Sequence, residues 1–305
     1  MRGFETIFLF TVDVEGMPIR DGSWDYSTVV DGIPLLLDLL DDFGVCSTFF
    51  VSSDVAVKTP DAIREAIRSK HEIGCHGYKH QPMNTGSPRD QYRTLKVATE
   101  TLWNHLNTTP VGFRAPFYRV DASTLSALVK LGYKYDSSVV PSPRIISTNF
   151  FPNAPHEPYA PSEARIDQRG ETSIIEIPVS TLPIVRLPLS LSFCMLFGLN
   201  LYKSLLQRFD QGIMTFYLHN YDFYPIPPRA KVSPLFRLAY LRHQTQRIAM
   251  LRELLEFVIS RFSPTFACAK EFTANFGNEP AKILHSLSSE NQRNGSMKNA
   301  TKGRY

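Results

Sequence analysis

The chain has 305 residues, 43% hydrophobic and 20% charged, with a formal net charge of +4. That is enough chain and enough apolar content for one sizeable core, and too little charge for a disordered polymer. The mild basicity comes without a homeodomain, zinc-finger or RNA-binding pattern, which points away from a nucleic-acid partner.

Ile7–Val12 (IFLFTV) is short, apolar and rich in aromatic and branched residues, the make-up of a buried strand. Val29, Ile33, Leu36, Leu40 and Phe43 then recur at helical spacing, and Gly44 is a natural stop. Ser47–Val51 (STFFV) predicts the next strand, Asp61–Ser69 a short helix, and Glu72–Cys75 a strand running into a histidine-rich stretch. Ser87-Pro88 supplies a cap and first turn for a helix carrying Tyr92, Leu95, Thr99, Leu102 and Leu106 on one face. Strand and helix return at Val111–Phe113 and Ala122–Leu131, and Gly132 ends the latter. A strand at Ile174–Ile177, a helix within Gly198–Arg208 and a strand at Ile213–Leu218 follow. A helix over Gln244–Phe262 and a strand at Thr265–Ala269 complete the pattern.

Strands alternating with helices predict parallel pairing, either in a barrel or in an open doubly wound sheet, with any site at the carboxyl ends of the strands. The segment from Pro141 to Gln168 is rich in Pro, Ser and Asn and reads as a long rim loop. One domain over residues 1–275 and a polar, aperiodic, disordered tail over 276–305 are expected.

The four cysteines, Cys46, Cys75, Cys194 and Cys268, lack CxxC pairing and are expected as reduced thiols. The N-terminus reaches its first strand without the regions of a signal peptide, so a cytoplasmic address is expected. Leu187–Tyr202 is uncharged but falls short of the roughly 20 residues a bilayer requires, so it reads as buried or interfacial.

Three clusters of ionisable residues directly follow predicted strands. Asp13-Val14-Glu15 puts two carboxylates on one face of an extended chain, which calls for a cation or a shared proton between them. His76 and His80, four residues apart in HEIGCHGYKH, have the spacing of paired nitrogen ligands to a metal. His219 ends GIMTFYL, with Asp222 three residues on. Two imidazoles and one carboxylate leave open positions on a divalent ion, as a hydrolytic site needs. A second carboxylate can then act as base and a further histidine as acid.

These stretches resemble the polysaccharide deacetylase (NodB-like) family. TVDVEG (Thr11–Gly16) is similar to its first motif, STFFV to its second strand, and HEIGCHGYKH to its histidine motif. GFRAPFYR (Gly112–Arg119), YDSS (Tyr135–Ser138) and FYLH (Phe216–His219) are similar to its later motifs, in the family's order over residues 11–219. The resemblance implies a distorted, incompletely closed (β/α) barrel and a hydrolase that removes an N-acetyl group from an amino sugar. It implies one divalent metal, zinc first, with cobalt, nickel or manganese as alternatives. Carried over by position, Asp13 would be general base, Arg114 its partner, and His76 and His80 metal ligands. His219 would be general acid, Leu218 would line the acyl pocket, and the Phe117 N–H would meet the oxyanion. Asp222 is expected among the substrate-contacting residues.

The second acidic position of the first motif is Val14 here, which cannot bind a metal, so that ligand falls to Glu15; the reverse assignment of Asp13 and Glu15 stays open. An allantoinase-like amide hydrolase and a non-catalytic carbohydrate-binding relative are the competing readings. Between Asp222 and Glu253 lie Arg229, Lys231, Arg237, Arg242, Arg247 and Arg252 and no acid. With the apolar 187–202 segment, they suggest contact with a membrane surface or a lipid- or nucleotide-linked substrate.

Overall fold

The expected first strand is β1 (Ile7–Val14), buried at all eight positions, as only a strand covered on both faces can be. The computed structural model describes residues 6–276 apart from 211 and 244; the predicted polar tail lies outside the described residues except at position 276. A short antiparallel ribbon, β2 (Met17–Pro18) with β3 (Trp24–Asp25), follows β1. The main sheet continues through β4 (Ser47–Val51), β5 (Glu72–Cys75), β6 (Gly112–Phe113), β7 (Tyr135–Asp136) and β8 (Ile175–Glu176), every pairing parallel. On its other edge β1 pairs with β9 (Ile213–His219), and β10 (Thr265–Phe266) shares the β4 edge at the start of β1.

Between β8 and β9 there is no strand ladder. Irregular backbone bridges the gap instead: Ser180 N–H donates to Thr215 O at 3.0 Å and Tyr217 N–H to Leu189 O at 3.0 Å. The sheet is therefore a curled, incompletely closed barrel.

Alternation along β1 divides its side chains between two environments. Phe8, Phe10, Val12 and Val14 pack outward into the core shared with the helices. Ile7 and Leu9 pack inside the barrel with Phe50, Tyr135 and Ile177. Above them on the inner face come Thr11, Asp13 and Glu15, so the interior passes from apolar to charged toward the strands' carboxyl ends. Two glycines make room for this inner layer. A Cβ on Gly112 would sit 1.9 Å from Tyr135 Cζ, and one on Gly74 would sit 2.6 Å from Phe50 Cδ1.

Several elements differ from expectation. The first predicted helix is two, Ser27–Val30 and Gly32–Asp42. Pro34 accounts for the break, since it lacks the N–H that would bond Val30 O and its ring crowds that carbonyl. The apolar 187–202 stretch becomes helices Leu191–Phe197 and Leu199–Leu206, broken at Gly198 with φ 88°. Helices Ser53–Lys58 and Pro234–Arg242 had no periodic signal. The last predicted strand stops at Phe266, and Ala269–Phe276 is helical. No helix among the described residues is long and apolar enough to cross a membrane.

Candidate active site

Register brings the site together. Asp13 lies opposite His219, Val51 opposite Cys75, Cys75 opposite Phe113, and Phe113 opposite Asp136. The residues just past these strand ends, Glu15, His76, Arg114 and Ser137, consequently meet at one level around the mouth.

Glu15, His76 and His80 form the first group. Their ligand atoms lie within 4.8 Å of one another; His76 Nε2 is 3.7 Å from Glu15 Oε2, and His80 Nε2 contacts the same oxygen. His76 Nδ1 lies 2.8 Å from the carbonyl of Arg114, a bond it makes as N–H donor, which leaves Nε2 with a free lone pair toward Glu15. Glu15 Oε1 accepts from Tyr221 OH at 2.8 Å, whereas the buried Oε2 has no hydrogen-bond partner. Burial by itself would raise the Glu15 pKa; the imidazoles of His80 and His76 outweigh it and hold the carboxyl well below its usual value. An orphaned carboxylate oxygen facing two imidazole nitrogens fits a divalent cation of the zinc type.

The backbone here is strained. Lys79 and His80 have φ of 49° and 47°, and Phe117 and Tyr118, on the facing loop, 57° and 56°. Four non-glycine residues in the left-handed region cost roughly 1–3 kcal/mol each, and such strain gathers at functional sites. The His80 and Phe117 rings meet at 4.3 Å, and Gly77, with φ 73°, lets the histidine turn lie against Pro116.

Asp13 belongs to a different group. Arg114 Nη1 donates to Asp13 Oδ1 at 2.9 Å and to Thr11 Oγ1 at 2.8 Å. Its Nε and Nη2 donate to Ser137 O and Oγ, and the guanidinium lies 4.4 Å over the Phe50 ring. Burial would lower the Arg114 pKa, but Asp13 outweighs it and the group stays charged. The two carboxylates of the first cluster are thus separated by the side chains they face: Glu15 by the histidines, Asp13 by arginine.

His219 stands across the mouth, its ring stacked on Tyr221 at 4.7 Å. Asp222 Oδ2 accepts from His219 N at 2.9 Å and lies 3.2 Å from Nδ1. Burial pulls the His219 pKa down, but Asp222, and more weakly Glu15 and Asp13, push it up to about 9.

Two expected positions are corrected. Asp222 is fully buried behind His219, its oxygens occupied by His219, Ser192 and Tyr240, so it cannot face a substrate. Leu218 lies opposite Val12 and packs outward among the helices; alternation puts Tyr217, with its ring 5.6 Å from His219, on the mouth side. Phe117 is half exposed at the rim. Tyr217 could have been found from alternation alone. Tyr221 and Asn220, which ties the backbone of Glu15 to Thr28, offered only their nearness to His219. Ser192 and Tyr240 carried no signal.

Residues 21–135 match the family model for polysaccharide deacetylase, and residues 137–268 match a model described as a domain of unknown function (DUF3473). Among curated proteins, a peptidoglycan deacetylase-like protein of Gibberella zeae is 33% identical over 110 residues, 35% of this chain and 32% of that protein. The peptidoglycan deacetylase of Helicobacter pylori is 27% identical over 109 residues, 36% of this chain and 37% of its own length. The chain thus matches between 19% and 37% of the length of its curated relatives. Among solved structures, one described as a polysaccharide deacetylase from Mycobacterium smegmatis superposes with TM-score 0.62 at 21% identity, covering 90% of this chain and 91% of that one. The PuuE allantoinase superposes with TM-score 0.61 at 15% identity, covering 92% and 93%. At these identities both likenesses speak for the fold alone.

Proposed function

Starting from a chain that carries a polysaccharide deacetylase domain, we propose that it is a metal-dependent hydrolase removing an N-acetyl group from an amino sugar of a glycan or glycan precursor. The observation that carries this is the division of labour around the mouth: a three-ligand cation site flanked by an arginine-held carboxylate and an aspartate-held imidazole.

Glu15, His76 and His80 would hold the ion, zinc first among zinc, cobalt, nickel and manganese. Bound there, it supplies Lewis acidity that polarises an acyl oxygen and lowers the pKa of water. Asp13, oriented by Arg114, takes the proton of the attacking water. His219, charged through Asp222, gives a proton to the amine nitrogen as the carbon–nitrogen bond breaks, so acetate and a free amine leave. Tyr217, rather than Leu218, borders the acyl group, and the Phe117 N–H is the backbone donor for the developing oxyanion. Asp222 acts behind His219 as its positioning residue.

Fold likeness does not separate a glycan from a cyclic ureide, since both kinds of neighbour superpose equally well. The exposed Phe117 ring beside His80 favours the sugar, because it offers a flat apolar face at the mouth where a pyranose can stack. A cytoplasmic site of action is part of this reading and rests on the four cysteines, which stand as free thiols. So is a lipid-borne substrate: Leu235, Leu238 and Leu241 are exposed along helix Pro234–Arg242, beside the exposed Arg229, Lys231 and Arg242.

Acetate release from nucleotide-, lipid- and polymer-linked N-acetylhexosamines, set against hydrolysis of cyclic ureides, tests the activity. Turnover of the ureides alone sinks the deacetylase reading. Liposome flotation with and without anionic lipid tests the lipid contact, and flotation with neither counts against it.

A further inference from the structure

The opposite end of the sheet holds a second set of metal-capable side chains, from stretches far apart in the chain. Cys46 immediately precedes β4 and His71 immediately precedes β5, while Cys268 and Glu271 follow β10. Sheet pairing brings them together. On one edge of β1, β10 pairs at Ile7–Phe8 and β4 from Phe10 onward, so the chain leaving β10 runs into the start of β4. Ala269 N–H donates to Thr48 Oγ1 at 2.9 Å and Lys270 N–H to Glu72 Oε2 at 2.8 Å, which seats helix Ala269–Phe276 against both strands. In this corner the two sulfurs and a carboxylate oxygen of Glu271 lie within 4.8 Å of one another.

We propose that Cys46, Cys268 and Glu271 bind a second divalent cation, a thiophilic ion of the zinc class, that clamps the last helix to the sheet. In a tetrahedral site with zinc–sulfur bonds of about 2.3 Å, ligand atoms stand about 3.8 Å apart, which three groups within this span can reach by side-chain rotation. Two thiolates with a carboxylate suit zinc in preference to magnesium or calcium, which take oxygen ligands. Binding displaces the two thiol protons and leaves a fourth position for water, because neither His71 nitrogen has a lone pair to spare. His71 Nδ1 accepts from Ser47 N–H at 3.2 Å, so its Nε2 carries the proton.

Ordinary structural roles account for part of the cluster. Glu271 Oε2 accepts from Cys268 N–H at 3.3 Å, a helix-capping contact, but its other oxygen remains for an ion. Two thiols this near could also close a disulfide. A disulfide has no use for the third ligand, Glu271. The cluster is separate from the mouth: β4 lies between them, and its five residues extend about 17 Å. It therefore stands or falls independently of the deacetylase proposal.

Cobalt reconstitution of the full-length protein tests it, with metal content measured alongside. Wild type is expected to bind two equivalents and to show a near-ultraviolet thiolate-to-cobalt charge-transfer band. Cys46→Ser and Cys268→Ser should each lose one equivalent and the band, while keeping the second equivalent. His80→Ala should lose the other equivalent and keep the band. If the cysteine variants do not fold, Glu271→Gln should fold and bind cobalt more weakly at the thiolate site by about tenfold. Absence of the band in wild type overturns the proposal, as does a Cys46–Cys268 disulfide in peptides mapped without reductant.

Discussion

The part of the chain up to Asp136 and the part after it build opposite sides of one mouth by different means. In the first, regular helices join the strands, and Asp13, Glu15, His76 and Arg114 stand at or just past a strand end, with His80 four residues beyond His76 in a strained turn. The second opens with a long irregular stretch through 141–173 and contributes His219, whose partner Asp222 is held by Ser192 and Tyr240 on two separate helices. The family models divide the chain at nearly the same place, at 135 and 137. Sheet register thus sets the level of both sides, but the acid side also depends on the packing behind His219. Perturbing each separately should give different phenotypes.

The largest effect is expected on the register side. His76→Ala or His80→Ala should lose the equivalent of metal proposed for Glu15, His76 and His80 and drop the proposed deacetylase activity to background, read by metal analysis and acetate release. A variant that keeps both would break the comparison. On the packing side, His219→Ala should keep full metal content while kcat falls by about 10²–10⁴-fold, the range for loss of a general acid or base.

Asp222→Asn sharpens the contrast, since it touches neither metal nor substrate. A general acid must be protonated, so activity is lost as pH rises through the His219 value of about 9. Without the Asp222 charge that limb should move to lower pH. If His219 returned to the ordinary imidazole value near 6.5, activity at pH 8 would fall about 30-fold and recover in acid. An unmoved pH profile would mean that Asp222 is structural only.

The smallest effect concerns Asp136 and Glu176, a buried carboxyl pair behind Arg114. Burial raises both pKa values, Asp136 to about 6, so the folded state favours a proton on the pair. For carboxyls raised on folding, stability declines as pH climbs from the unfolded value through the folded one. Glu176→Gln removes one such acid while its amide oxygen can still accept from Val139 N–H, as Glu176 Oε1 does at 2.9 Å. Melting temperature at pH 8 should stay level or rise by a few degrees, with a smaller loss between pH 5 and 8 than in wild type.

Legibility followed locality. Short apolar runs and 3.6-residue stripes marked most of the strands and helices, and residues just past strand ends gave the site candidates, since strand ends of a parallel sheet share one rim. Helices Ser53–Lys58 and Pro234–Arg242 escaped because the first is only six residues long and the second leaves Leu235, Leu238 and Leu241 exposed, which erases a clean stripe. Leu218 and Asp222 were misplaced because a motif position does not say which face of β9 a side chain takes, or that a carboxylate is enclosed behind its neighbour.

By itself, then, the sequence determined the strand–helix order, the inward carboxylates of β1 and the histidine pair, all of which depend on spacing along a few residues. Only the tertiary structure decided that Glu15 joins His76 and His80 while Asp13 joins Arg114, and that Cys46 meets Cys268. Those choices depend on sheet curl, strand register and long-range packing, which set distances between groups from about sixty to over two hundred residues apart and leave no local trace in the chain.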